Sequence, residues 1–172
     1  MPVLLPGTPV PPLELPLADG GVWRLQDQAP PAFTLLVFYR GWHCPQCQKQ
    51  LTELDGMLGS FAEGGVSSVV AISGDDADRA GRTIKEWELS ALPVAHDLTA
   101  EQMKEWGLYV SRGVKDPEPG LFNEPGLFLI RPDRTLYSAH VQSTPFARPH
   151  LSNLLHAVEF IKEKDYPARG EA

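Results

Sequence analysis

The chain has 172 residues, 42% of them hydrophobic and 22% charged, enough for one domain with a substantial core and too few for two comfortable ones. A net charge of −7 without any Lys/Arg cluster argues against general nucleic-acid binding. No apolar run approaches the ~20 residues that span a bilayer, and Pro2, Pro6, Pro9, Pro11 and Pro12 interrupt any signal-peptide-like helix, so no membrane role is expected and the cytoplasm is the expected compartment.

Within residues 1–32, Leu13, Leu15 and Leu17 alternate as a strand does, Asp19-Gly20-Gly21 makes a tight turn, and Val22-Trp23-Arg24-Leu25 answers as a second strand. This predicts an N-terminal β-hairpin extension. Residues 33–39 (FTLLVFY) hold no polar side chain except Thr34, as befits a strand covered on both faces. Arg40, Gly41, Trp42 and His43 form a loop, and Cys44-Pro45-Gln46-Cys47 opens a helix continued by Leu51, Leu54 and Leu58 at spacings of three and four.

Residues 66–73 (VSSVVAIS) read as the next buried strand, with Gly74-Asp75-Asp76 as turn and helix cap. A helix through Arg79, Ile84, Trp87 and Leu89 follows, then a short strand at 92–96 and a helix from Thr99 to about Trp106. Trp87 and Trp106 are expected in the core. Residues 111–124, with Gly113, Pro117, Pro119 and Gly120, read as a long loop. A hairpin of 126–131 and 135–141 and an amphipathic helix over 151–162 complete the pattern, and the stretch 166–172 is expected to be a loose tail. Strands alternating with helices predict an α/β fold with a central mixed sheet flanked by helices, in a single domain over 1–172.

Both cysteines of the chain lie in the CPxC stretch. Pro45 suits a first helical turn, where its missing N–H costs nothing, and this places Cys44 at or near the N-cap. Unpaired backbone N–H groups and the helix dipole there favour thiolate and lower the thiol pKa from its usual ~8.5. A second thiol three positions on can close a disulfide across the first turn. Zinc would need further ligands beyond His43, and His96, His140, His150 and His156 are scattered; inert packing of the thiols is the other bland reading. No metal or organic cofactor is implied.

This order of elements, with Leu36-Val37-Phe38-Tyr39-Arg40-Gly41 before Cys44-Pro45-Gln46-Cys47, the Asp19-Gly20 turn, and residues 126–133, resembles the peroxiredoxin-like (alkyl hydroperoxide reductase/thiol-specific antioxidant, redoxin) branch of the thioredoxin-like superfamily. The resemblance implies a thioredoxin-like fold. In thioredoxin-like reductases the first cysteine attacks and the second resolves, which maps to Cys44 and Cys47. Peroxiredoxins place Thr or Ser three residues before the peroxidatic Cys and Pro earlier in the loop; aligned so, Cys47 is peroxidatic, Cys44 replaces the Thr and Arg40 the Pro. Pro125 falls where thioredoxin-like folds carry a cis-proline and where peroxiredoxins tend to carry an arginine, which leans towards disulfide chemistry.

The expected function is a thiol–disulfide oxidoreductase cycling the Cys44–Cys47 pair, with Pro125, Trp42 and Arg40 near the substrate. The partners are an external thiol reductant such as a thioredoxin or glutathione system, and a protein disulfide or peroxide; a homodimer is compatible. A hydroperoxide reductase with Cys47 peroxidatic and Cys44 resolving is the first alternative, and a redox-sensing module without turnover the second. Arg40 reads equally as a charge for the thiolate or as a loop anchor, His43 as a thiolate tuner or incidental, and Arg148 as a residue that sequence cannot place.

Overall fold

The computed structural model describes residues 3–172; Pro2 of the N-terminal proline run lies outside them. Its centre is strand β3 (Thr34–Phe38), in which all five residues are buried. Alternate side chains of this segment enter two different cores, as the strand period of two requires. Phe33, Leu35, Val37 and Tyr39 face one side with Leu51, Leu54, Phe61 and both cysteines. Leu36 and Phe38 face the other with Phe128, Trp106, Leu15 and Trp23. Phe38, Trp106 and Phe128 stack there with ring centroids 5.4–5.6 Å apart.

The expected α/β arrangement is what the structure shows. A five-stranded mixed sheet has the order β5–β4–β3–β8–β9, with β4 (Ser68–Ile72) parallel to β3 and to β5 (Val94–Ala95), and with β8 (Gly126–Ile130) antiparallel to β3 and to β9 (Leu136–Val141). Helices α1 (Pro45–Glu63) and α4 (Leu151–Lys164) bury apolar faces in the first core, joined there by Ala80 and Trp87 at α2 (Ala77–Glu86). The second core is closed by α3 (Ala100–Glu105) and by the hairpin of β1 (Glu14–Pro16) and β2 (Val22–Arg24). The hairpin docks on β5 through Ala18 N–H donating to Val94 O at 2.9 Å, which covers that sheet edge. No helix is long and apolar enough to cross a membrane among the described residues.

One element differs from the sequence reading. Part of the stretch 111–124 pairs as a short antiparallel arm, β6 (Val110–Arg112) with β7 (Leu121–Asn123). Its strands are three residues each, too short for an alternating pattern, and the Gly- and Pro-rich segment between them masks the pairing. The tail expected to be loose is met at its start by Tyr137, whose hydroxyl donates to Tyr166 O at 2.9 Å.

The helix bearing the cysteines is pinned at its third turn. Asp55 accepts hydrogen bonds from the N–H groups of Ser90, Ala91 and Leu92 and from the Ser90 hydroxyl, all at 2.8–2.9 Å. Burial opposes ionisation, but these donors outweigh it and hold the carboxyl below its ordinary 3.8. Asp55→Ala is therefore expected to lower stability by about 2–3 kcal/mol in urea unfolding at neutral pH. Because the folded-state value is depressed, that difference should be fully present above the ordinary carboxylate value and fade as pH falls below it.

Candidate redox site

The site is built where β3 gives way to α1. After Tyr39, whose N–H still donates to Ile72 O at 2.9 Å, the chain turns at Gly41 (φ 136°). A Cβ on Gly41 would stand 2.7 Å from Asp75 Oδ1 and 3.0 Å from Oδ2, so only glycine lets the loop lie against that carboxylate. Asp75, 3% exposed, accepts the Trp42 N–H at 2.7 Å and receives the Ser73 hydroxyl's support through its own N–H at 3.2 Å. Burial pushes its carboxyl up, though the Trp42 N–H and Arg79 oppose this. The loop is thereby held from beneath.

Cys44 is the N-cap of α1, as its place before Pro45 implies. Its sulfur accepts the Cys47 N–H at 3.2 Å. Cys47 Sγ in turn accepts the Arg40 N–H at 3.4 Å and an N–H of the Arg148 guanidinium, Nη2, at 3.0 Å; Nη2 also lies 3.8 Å from Cys44 Sγ. Arg148 is held by donating from Nε to Pro145 O at 2.8 Å and from Nη1 to Gln50 Oε1 at 2.7 Å, beside Ala147 in the left-handed region (φ 55°). Both cysteines are free thiols, 1% and 0% exposed for Cys44 and Cys47.

The two thiols titrate as a pair. A hydrogen bond from the Cys47 thiol pulls Cys44 down to about 6 against the cost of burial, helped by the Cys47 backbone N–H, Arg148 and Arg40. Burial and the charge on Cys44 push Cys47 well up. One negative charge and one proton therefore reside on the two sulfurs at neutral pH.

Around this pair the structure sorts the other sequence candidates. Arg40 lies between the thiols and a carboxylate: it is among the groups that lower Cys44, and its Nε lies 3.0 Å from Glu124 Oε2, close but not aligned as a linear hydrogen bond. Its guanidinium covers Phe122 at 4.8 Å. Glu124 is fixed by the Ser111 hydroxyl at 2.7 Å, so the β6–β7 arm braces the cysteine loop. Trp42 donates its indole N–H to Glu86 at 2.6 Å and stacks under Arg82 at 3.7 Å, half-buried rather than presented as an open face. His43 packs on Phe122 at 4.9 Å; burial and Arg40 push its pKa down to about 4, so it is neutral at pH 7. Trp87 and Trp106 are in the core as expected.

Pro125 corrects an expectation. The Glu124–Pro125 bond is trans; the cis peptide among the described residues is Asp116–Pro117. Gln142 N–H donates to Pro125 O at 3.0 Å, extending the β8–β9 ladder one step beyond the Gly126–Val141 pair, so Pro125 enters as extended strand.

Sequence reasoning missed Asp75 and Glu124 and left Arg148 unplaced. Two adjacent acids at 75 and 76 were a usable signal, since a helix needs one cap and Asp76 supplies it, accepting from Arg79 N–H at 2.9 Å. Nothing in the sequence joins Arg148 to cysteines 101 and 104 positions away.

Comparison with known proteins bears on the family and the fold. The AhpC/TSA family model matches residues 6–139. No curated protein matches the chain. Among solved structures, peroxidoxin BcpB from Mycobacterium tuberculosis superposes with a TM-score of 0.73 at 22% identity, covering 92% of this chain and 97% of its own. A mutant peroxiredoxin 6 from Arenicola marina gives 0.78 at 17% identity, covering 95% and 76%. Reduced Prx3 from Vibrio vulnificus, in complex with H2O2, gives 0.77 at 16% identity, covering 91% and 100%. These likenesses are of fold; the family model spans most of the chain, and the protein belongs to the AhpC/TSA family of thiol peroxidases and oxidoreductases.

Proposed function

We propose that the chain is a thiol-dependent hydroperoxide reductase in which Cys47 attacks the peroxide and Cys44 resolves the product. The observation that carries this reading is Arg148, which touches the Cys47 sulfur and is locked by donating to two further acceptors, Pro145 O and Gln50 Oε1. A fixed guanidinium at the attacking sulfur stabilises the oxygen that departs as the O–O bond breaks; exchange between sulfurs expels a thiolate, a far weaker base that depends less on such a donor. Burial of both sulfurs supports a small oxidant over a protein disulfide, which places disulfide exchange with a protein second.

The Cys44 pKa is the lowered one of the pair, while the shortest donor contacts are on Cys47. The shared proton reconciles the two. Cys44 thiolate acts as the base, taking the Cys47 proton as the Cys47 sulfur attacks the terminal oxygen of R–O–O–H. The O–O bond breaks, Cys47 becomes sulfenic acid, and the departing alkoxide takes the proton from Cys44 and leaves as R–OH. Cys44, again thiolate, attacks the Cys47 sulfur and expels hydroxide, closing the disulfide. Two equivalents of an external thiol, from a thioredoxin-type or glutathione system, then return the pair to dithiol with their own oxidation to disulfide.

Stopped-flow mixing of the reduced protein with hydrogen peroxide, read by Trp42 fluorescence, tests this. Cys47→Ser should abolish the fast phase, and Arg148→Met should slow it by roughly 10²–10³-fold, the effect of removing one oriented donor. A fast phase that survives Cys47→Ser would transfer the attack to Cys44. The wild-type rate should fall about tenfold per unit as pH drops below about 6 and level off above it, because the deprotonated pair is the reactive form. A rate still climbing through pH 8–9, where an ordinary thiol ionises, would count against the shared charge.

A further inference from the structure

Two guanidinium groups serve the two sulfurs, and they are held in different ways. Arg148 reaches Cys47 at 3.0 Å and is locked by neutral acceptors, Pro145 O and Gln50 Oε1. Arg40 is held by carboxylates: its Nε lies 3.0 Å from Glu124 Oε2, and its Nη2 lies 4.0 Å from Glu118 Oε1. The side chains of Arg40 and Glu124 are 15% and 4% exposed, so this pair is screened far less than one on the surface. The Arg40 backbone N–H is taken up by Cys47 at 3.4 Å, whereas its guanidinium is among the groups that lower Cys44.

Removing the Glu124 carboxylate from water is costly unless donors surround it. Its Oε1 accepts the Ser111 hydroxyl at 2.7 Å, and its backbone N–H donates to Tyr109 O at 2.8 Å. These bonds fix the side chain with Oε2 turned to Arg40. A long side chain such as Arg40 keeps one place only where its torsions are frozen. Phe122 lies under the guanidinium at 4.8 Å, and Glu124 holds it from the side.

The other charged neighbours leave this task to Glu124. His43, packed on the same Phe122 ring, is neutral at pH 7. Arg79, from α2, donates to Pro117 O at 2.7 Å, and Glu118 sits farther from Arg40 on the arm. The leading influences on Cys44 are the Cys47 thiol and N–H, burial and the two arginines, with no carboxylate among them. The reach of Glu124 to the sulfur therefore runs through Arg40.

We propose that Glu124 is a positioning residue of the redox centre: by fixing the Arg40 guanidinium beside Cys44 it divides the two cations between the two sulfurs, Arg148 serving Cys47 and Arg40 serving Cys44. Its role rests on the peroxidase reading, in which Cys44 takes the proton of Cys47, but the acidity of Cys44 can be measured without any peroxide.

The test titrates each sulfur alone, Cys44 in Cys47→Ser protein and Cys47 in Cys44→Ser protein, through the NMR shift of its isotope-labelled Cβ. Glu124→Gln keeps the shape and loses the charge. It should raise the Cys44 pKa by about one unit, the low end of what a neighbouring opposite charge contributes, and change that of Cys47 by less than half as much. Arg40→Met should raise Cys44 at least as far, and Arg40→Met combined with Glu124→Gln should match Arg40→Met alone. Ser111→Ala, which removes only the hydroxyl that fixes Glu124, should give a smaller rise of the same sign, with urea unfolding showing that each variant is folded. An unmoved or lowered Cys44, the latter being what loss of a bare carboxylate charge near a thiolate would give, overturns the proposal. So does equal movement of both sulfurs, or a double variant that departs from Arg40→Met. Inertness of the wild type towards hydrogen peroxide would instead defeat the peroxidase reading and leave these titrations standing.

Discussion

A negative charge kept out of water between two sulfurs is the constraint from which the rest of the site follows. Removing a thiolate from solvent is costly unless donors surround it. Here four donor groups come from three parts of the chain: the first turn of α1 through the Cys47 N–H and the Cys47 thiol, the loop through the Arg40 N–H, and the Arg148 guanidinium. Each donor has its own support. Gln50 and Pro145 O hold Arg148, Asp75 holds the loop at Trp42, and Glu124 holds the Arg40 side chain. Asp55 then fixes α1 against the far end of the same core.

The chain departs from the usual peroxiredoxin pattern at three positions, and the geometry gives each departure a physical counterpart. Cys44 stands where Thr is common, and a sulfur caps the helix there, accepting the Cys47 N–H while adding a second thiol within reach. Arg40 stands where Pro is common. Proline has no N–H, whereas Arg40 uses its own to donate to Cys47 at 3.4 Å. Pro125 stands where an arginine is common, and Arg148 delivers a guanidinium to the sulfur out of the segment before α4. A pattern broken in sequence is in this way compatible with peroxide chemistry in space.

Local sequence carried the fold well because the relevant signals are local. The uninterrupted apolar run of β3, the Pro45 that opens α1 behind a capping cysteine, and the alternation of Leu13 and Leu15 against Trp23 are each decided by neighbours within a few residues. What escaped was set at long range. Arg148 meets Cys47 across 101 positions, Asp75 meets Trp42 across 33, and β6 and β7 are too short for a period to show. Pro125 was misjudged because superfamily analogy stood in for the ladder bond from Gln142 that keeps its backbone extended.

The most direct measurement is the location of the first oxidised sulfur. Cys44→Ser protein, treated with hydrogen peroxide at alkaline pH, where Cys47 ionises without Cys44 as its base, in the presence of dimedone and digested for mass spectrometry, should carry the sulfenic-acid adduct on Cys47. Cys47→Ser protein treated alike should label Cys44 more slowly, since Arg148 Nη2 stands 3.8 Å from its sulfur against 3.0 Å for Cys47. An adduct that forms readily on Cys44 and not on Cys47 would contradict the account, and would return the site to a thioredoxin-type order of attack.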